Sequence, residues 1–386
     1  MTDFGGPARR LFRLEPGVDF INHGSFGAPP LPVLAEVDRW RARMETNPDH
    51  FFRDVLPQAL RSAAHELARF VRADPADLVF VENATAAVNA VLRSLDFKPG
   101  DEILLNSQSY GAVRQAVRYV CERSGAKAAE PLVSIPVQGP EQLLQAFADA
   151  INQRTRLVIV DHISSPTGLI WPVGEIAALA RSRGVLVLVD GAHAPGQIDL
   201  DIPALGADWY TGNCHKWLYA PRGCAFLWSR HERKKMIHPL AISHAYGRGF
   251  ADEFDWTGTR DFSPWLAMGV ALHFVVELGV EPVRRYCHRL VTDAAEKIAQ
   301  AWAQPVGGPP ALHGAMMAIR LPPAWQQSSH DRESASRLQS ALLAKERVVV
   351  ALNVIQHALW ARISAQIYNE PQDYERLIEA GLRGPR

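Results

Sequence analysis

Two runs of the chain, LVIV at 157–160 and VLVLV at 185–189, are apolar at every position. A strand with one wet face alternates apolar and polar side chains, so unbroken β-branched runs require a sheet covered on both faces. From about Leu78 to Arg230 such runs take turns with helical patterns: LVFVEN then ATAAVNAVLRSL, EILLNSQ then an amphipathic stretch, RLVIVDHI then EIAALARSRG, then VLVLVDGA. In the amphipathic stretch Val113, Ala116, Val117, Val120 and Cys121 share one helical face. The alternation predicts an α/β fold with βαβ units around a mostly parallel central sheet. Gly184 stands just before VLVLV, where a left-handed C-cap residue costs least.

Composition narrows the class of protein. Of the 386 residues 47% are hydrophobic and 21% charged, which is ordinary for a globular chain and far from disorder. Lys plus Arg (41) equal Asp plus Glu (41), so no overall field draws in nucleic acid or an anionic membrane, and neither is expected as a partner. The four cysteines include no CxxC pair and suggest neither a disulfide framework nor a zinc site, in keeping with a reducing, cytoplasmic setting. Arg9-Arg10 is followed by LFRLEPGVDF, which lacks the apolar core of an export signal. The stretch 262–276 is too short to span a bilayer and reads as a buried helix. Longer helical patterns follow from about Phe262, with a Pro- and Gly-rich interruption at 304–310.

An open parallel sheet binds ligands beyond the carboxyl ends of its strands. Four segments deliver polar residues there: Asn83–Ala86, Ser107–Tyr110, His162–Ser165 and Asp190–His193. Asp190 emerges from five apolar residues, where an unpaired charge is costly, so it needs a cationic partner; a helix cap or an Arg pair would also satisfy it. Lys216 lies among small and aromatic residues that favour its neutral amine, the form that condenses with an aldehyde. Taken alone, a lysine is more commonly a surface residue with its stem packed down.

Together the two positions say more. DGAHAPG, followed by Lys216 in NCHKWLYAPRG, resembles the class V aminotransferase superfamily of fold-type I pyridoxal-phosphate enzymes, and most of all its isopenicillin N epimerase-like group. The resemblance extends to FINHGSFGAPP (20–30), VENATAAVN (81–89), SYGAV (109–113), DHISSPTG (161–168), FDWTGTRDFSP (254–264) and RISAQIYN (362–369). It implies an N-terminal arm (1–30), a large cofactor domain (31–255) and a small α+β domain (256–386). It implies pyridoxal 5'-phosphate (PLP) held as a Schiff base on Lys216, with Asp190 on the ring nitrogen and His193 beside that carboxylate, although a structural histidine competes for the last position. Thr85 and Ala86 match the phosphate turn at a helix start, against the plain reading of a Thr cap, and His215 joins the cofactor ligands. Tyr110 matches the aromatic stacked on the ring, or else packs in the core. Ser165 stands where many relatives carry an Asn to the cofactor's phenolic oxygen, a contact that His162 or Thr167 could replace. Gly258 and Thr259 match the pair supplied by a neighbouring subunit, which implies a homodimer. Asn22, His23 and Gly24 match the arm that crosses the active site, with a tight turn as the alternative for His23. Arg362 matches the arginine for an amino-acid carboxylate, against a surface arginine.

The reaction is less constrained, because the cofactor stabilises any Cα carbanion and the protein selects the outcome. Epimerisation needs a second proton carrier opposite Lys216, for which Tyr110, His23 or a water are candidates. One base suffices for β-elimination or transamination. A desulfurase needs a nucleophilic cysteine in the loop before Arg362, and none lies between Cys287 and Arg362. A nicotinamide dehydrogenase is disfavoured for want of a GxGxxG after an early strand. A PLP-binding regulatory protein is the non-enzyme alternative.

Overall fold

The computed structural model describes residues 3–327 and 331–385. Its central sheet has seven strands: β1 (Leu78–Val81), β2 (Glu102–Leu104), β3 (Lys127–Ala129), β4 (Thr155–Asp161), β5 (Leu186–Asp190), β6 (Trp209–Asn213) and β7 (Ala225–Ser229). They lie in the order β1-β7-β6-β5-β4-β2-β3. Every neighbouring pair is parallel except those of β7, which runs antiparallel to β6 and to β1. The link from β6 to β7 covers only 214–224, too short for a parallel crossover, so the chain must turn back. Lys216 sits in that forced return.

Burial follows the apolar runs. Leu157 and Ile159 enter the apolar cluster on one face of the sheet, Val158 and Val160 the cluster on the other, and all four are 0% exposed. The helices that cover the sheet include α1 (Ala84–Ser94), α2 (Gly111–Ser124) and α3 (Val173–Ser182). The chain leaves α3 through Gly184 in the left-handed region (φ 71°), as the sequence predicts. A four-residue helix, α4 (Cys214–Trp217), carries Lys216.

The stretch 262–276 departs from a single helix. It forms α5 (Ser263–Leu266) and α6 (Met268–Leu278), separated at Ala267, with Pro264 in a first turn where no amide donor is required. Among the described residues no single helix is long and apolar enough to cross a membrane. Beyond it, β8 (Met316–Arg320), β9 (Ala351–Ile355) and β10 (Ala358–Ser364) make an antiparallel sheet in the order β9-β10-β8. β10 is central and wholly buried, but it stops at Ser364, so only the first part of RISAQIYN is strand. Asp19–Phe20 pairs in parallel with Val348–Val349, which anchors the N-terminal segment and leads residues 22–27 toward α4.

The two-sided burial of β4 carries a prediction. Ile159→Ala and Val158→Ala should each lower unfolding free energy in urea titrations, Ile159→Ala by about 2–5 kcal/mol, because each leaves a cavity in the cluster on its own face. A loss well under about 1 kcal/mol for either would contradict cover on that face.

Candidate active site

The carboxyl ends of β4 and β5 set two acids side by side. Asp161 and Asp190 are register partners on neighbouring parallel strands, and both are buried. Asp161 accepts hydrogen bonds from Ser109 Oγ (2.9 Å) and Asn106 Nδ2 (3.1 Å), whereas Asp190 accepts from the Ala192 N–H (3.0 Å). Burial pushes both carboxyls up, and the Asp190 charge pushes Asp161 further. Two such groups side by side oppose each other's ionisation, which a cation beside Asp190 would favour. Asp161 has more donors than Asp190, so Asp190 is the acid with lone pairs to offer.

Lys216 is buried, and its Nζ lies 3.1 Å from His193 Nε2. The other ring nitrogen of His193, Nδ1, is 3.4 Å from the indole N–H of Trp217, which can only donate. Nδ1 is therefore the acceptor and Nε2 carries the hydrogen. That hydrogen points at Nζ, which can receive it only as a neutral amine. Burial, with Arg362 nearby, pushes Lys216 down to about 7, partly opposed by Asp190. The snorkelling surface lysine is set aside.

The N-terminal arm holds α4 in place. His23 is 0% exposed, with Nε2 2.7 Å from the Lys216 carbonyl and Nδ1 2.8 Å from Tyr368 Oη. A carbonyl oxygen only accepts, so Nε2–H donates to it and Nδ1 accepts from the Tyr368 hydroxyl. Burial pushes His23 down to about 4. The expectation that His23 serves as a proton carrier is corrected here, because both nitrogens are spent on the protein. The arm's glycines likewise approach the protein itself. A Cβ on Gly27 (φ 67°) would sit 1.8 Å from the His215 carbonyl oxygen, and one on Gly24 would sit 2.5 Å from Met316 Sδ.

At the start of α1 the first and third N–H groups are already taken: Ala84 donates to Asn213 Oδ1 (2.9 Å) and Ala86 to Asn83 Oδ1 (2.9 Å). That corrects Ala86 as a free phosphate donor. Among the described residues the Thr85 N–H and hydroxyl have no partner, so Thr85 carries the anion-binding capacity of this helix end. His215 Nδ1 is 3.0 Å from the Cys224 carbonyl, which leaves Nε2 unclaimed, and burial pushes this histidine down to about 4. Gly258 takes a positive φ of 140°. No side chain lies within 4 Å of a Cβ built on Gly258, and the neighbouring Arg260 pairs with Glu82 and covers Trp265.

Arg362 on β10 is 3% exposed. Its guanidinium donates to the Ser165 carbonyl (2.5 Å), Ser165 Oγ (3.3 Å), Asn22 Oδ1 (2.9 Å) and Ser25 Oγ (3.1 Å), all neutral acceptors. Its Nε is buried without a partner, and no carboxylate pairs with it among the described residues. Burial pushes Arg362 down to about 10, while the nearby Tyr110 phenol favours its charged form. Ser165 thus accepts from Arg362 through both its carbonyl and its hydroxyl oxygen, while the hydroxyl hydrogen remains free to donate. Thr167 bonds to Gln108 and Ser164, and His162 Nδ1 lies 2.9 Å from Tyr210 Oη. Tyr110 caps α2, is 46% exposed and, with Gln108, Ser109 and Ser165, lines a cavity of about 1100 Å³. The core-packing alternative for Tyr110 fails on that exposure.

These groups fit PLP on chemical grounds: a neutral amine for its aldehyde, an under-satisfied carboxylate for its ring nitrogen and an open helix start for its phosphate. The model of the family described as aminotransferase class-V matches residues 29–377. The chain belongs to the class V aminotransferase family. It is 35% identical to isopenicillin N epimerase of Amycolatopsis lactamdurans over 97% of this chain and 96% of that one. It is 32% identical to putative L-cysteine desulfhydrase 1 of Oryza sativa subsp. japonica, covering 95% and 83%. Among solved structures it resembles a C-DES variant with glycine covalently linked to the PLP cofactor, with TM-score 0.78, 22% identity and coverage of 96% and 98%. The protein is a PLP-dependent class V enzyme of fold type I.

Sequence reasoning missed Asp161, although it follows LVIV just as Asp190 follows VLVLV, and it missed the tethering of Gln108 to the 164–167 loop.

The depressed basicity of Lys216 is measurable in the cofactor-free chain. Because the neutral amine is the reacting form, condensation with pyridoxal should accelerate as pH rises through about 7. A midpoint near 10, as for an exposed lysine, would show that Nζ is not held as described.

Proposed function

We propose that this enzyme abstracts the Cα proton of an amino acid and returns it on the opposite face, as an epimerase. The observation that carries the amino-acid part is Arg362, a buried cation with only neutral partners, near enough to Lys216 for its charge to push that amine down. It suits a carboxylate because its planar fork offers two parallel donors.

Bound PLP supplies the electron sink for the pair left at Cα. Lys216 carries the cofactor and, once released by substrate, takes the Cα proton on its side. Asp190 would pair with the ring nitrogen and favour its protonated form; Thr85 and His215 would hold the phosphate, with Gly258 and Thr259 of a second subunit. His193 orders Nζ through its Nε2–H, and Asn22 and Ser165 steady Arg362. Tyr110 is the proton carrier for the opposite face, supported by its exposed phenol in the cavity wall and by the withdrawal of His23 into the protein. The exposed Phe26, Ile242 and Tyr246 support a homodimer, and four free thiols accord with a reducing cytoplasm.

A second reading is favoured by the desulfhydrase relatives: β-elimination from cysteine, for which Lys216 alone suffices. A persulfide route is unsupported, since Cys287 and Cys214 are buried with their thiols pushed well up, and no cysteine lines the cavity.

The test is incubation with D- and L-amino acids in deuterated water. Inversion with deuterium at Cα is expected; sulfide and pyruvate from cysteine without inversion would establish the lyase instead. Lys216→Ala should lose the visible cofactor absorbance and all turnover with the fold kept. Tyr110→Phe should retain exchange from one enantiomer while inversion falls at least about a hundredfold, the usual worth of a general acid or base. Unchanged inversion in Tyr110→Phe would remove it from the proton path. Arg362→Leu should raise KM for amino acids by about tenfold or more, given one charge-assisted pair lost, with the cofactor spectrum intact.

A further inference from the structure

Gln108 is held from two directions and left incomplete in a third. Its backbone N–H donates to Asn106 Oδ1 (2.7 Å), and Asn106 in turn donates to Asp161. Its side-chain Oε1 accepts from the Thr167 hydroxyl (2.6 Å) and faces Ser164 Oγ (3.4 Å). The residue is 2% exposed and lines the cavity beside Tyr110 and Ser165, yet its Nε2 is buried without a partner. An amide held this firmly with an unmet donor is costly, and a native fold keeps such a group where a ligand completes it.

The neighbouring orphan narrows the ligand. Most other unpartnered buried donors are indole nitrogens of tryptophans packed among apolar side chains; Gln108 Nε2 and Arg362 Nε belong to two residues that both hydrogen-bond the 164–167 loop. Both residues grip the same loop, Arg362 through Ser165 and Gln108 through Ser164 and Thr167. We infer that Gln108 Nε2 donates to an anionic oxygen of the bound ligand at this loop, acting with Arg362 as a second, neutral recognition element. That oxygen belongs either to the substrate carboxylate or to the phenolic group of the cofactor, and the assignment rests on the amino-acid reading proposed above.

Gln108→Glu keeps the length and the acceptor that Thr167 needs while replacing the donor by an acceptor. Gln108→Met removes both polar atoms at similar volume and serves as a second variant should the first fold poorly. In each full-length variant two affinities are measured: that of the cofactor-free chain for PLP, by absorbance titration, and that of the holoenzyme for α-aminoisobutyrate, which has no Cα proton and reports binding alone. A substrate contact predicts that α-aminoisobutyrate weakens by about tenfold or more with PLP affinity unchanged, since a hydrogen bond to a charged group is lost. A cofactor contact predicts that PLP affinity falls by a similar factor. If both affinities stay within twofold of wild type in both variants, the inference is overturned. Failure of wild-type holoenzyme to bind any amino acid would instead bring down the proposed function, a result visible before any variant is made.

Discussion

The buried amine of Lys216 is the constraint on which the rest depends. A lysine taken out of water without an ion-paired carboxylate must be neutral or very costly. Neutrality alone does not fix its position, and the structure does that through the backbone on either side. The Lys216 carbonyl is held by His23 Nε2–H, and Gly27 passes so close to the His215 carbonyl that no side chain fits. On the other side Gly196 (φ 92°) packs against the Trp217 carbonyl, where a Cβ would approach to 2.4 Å. The N-terminal arm, the loop after β5 and α4 are therefore one packing unit. A displacement in any of the three moves Nζ relative to His193.

How much of this was legible in the sequence depends on the range of the interaction. LVIV and VLVLV declared a two-sided sheet because burial on both faces leaves a local signature. Asp190 and Lys216 stood out for the same reason: a single charged residue in an apolar or aromatic setting is visible within a few positions. The antiparallel turn into β7 was also implicit, since the 214–224 link is too short for a crossover. What stayed hidden were the partners. His23 reads as part of a mobile-looking glycine loop, and nothing local says that Tyr368, 345 residues away, completes its hydrogen bonding. Asp161 reads as one more strand-end acid until register sets it against Asp190. Gln108 lies in SQSYG, a polar run that the sequence delivers to the ligand edge without saying which side chain is tethered, and only the folded loop at 164–167 buries its amide.

The electrostatics of the pocket couple binding to base strength. Arg362 is one reason that Lys216 is a weak base. On the proposed reading, an incoming carboxylate neutralises Arg362 and lifts that pressure, so the amine gains affinity for a proton when there is a Cα proton to take. The acid pair responds in the complementary sense. A cation at Asp190 would favour its ionised form, and the Asp190 charge in turn pushes Asp161 up. Ser109, which donates to Asp161, is the residue before Tyr110. The charge on this acid pair therefore bears on an anchor of the loop that presents the phenol.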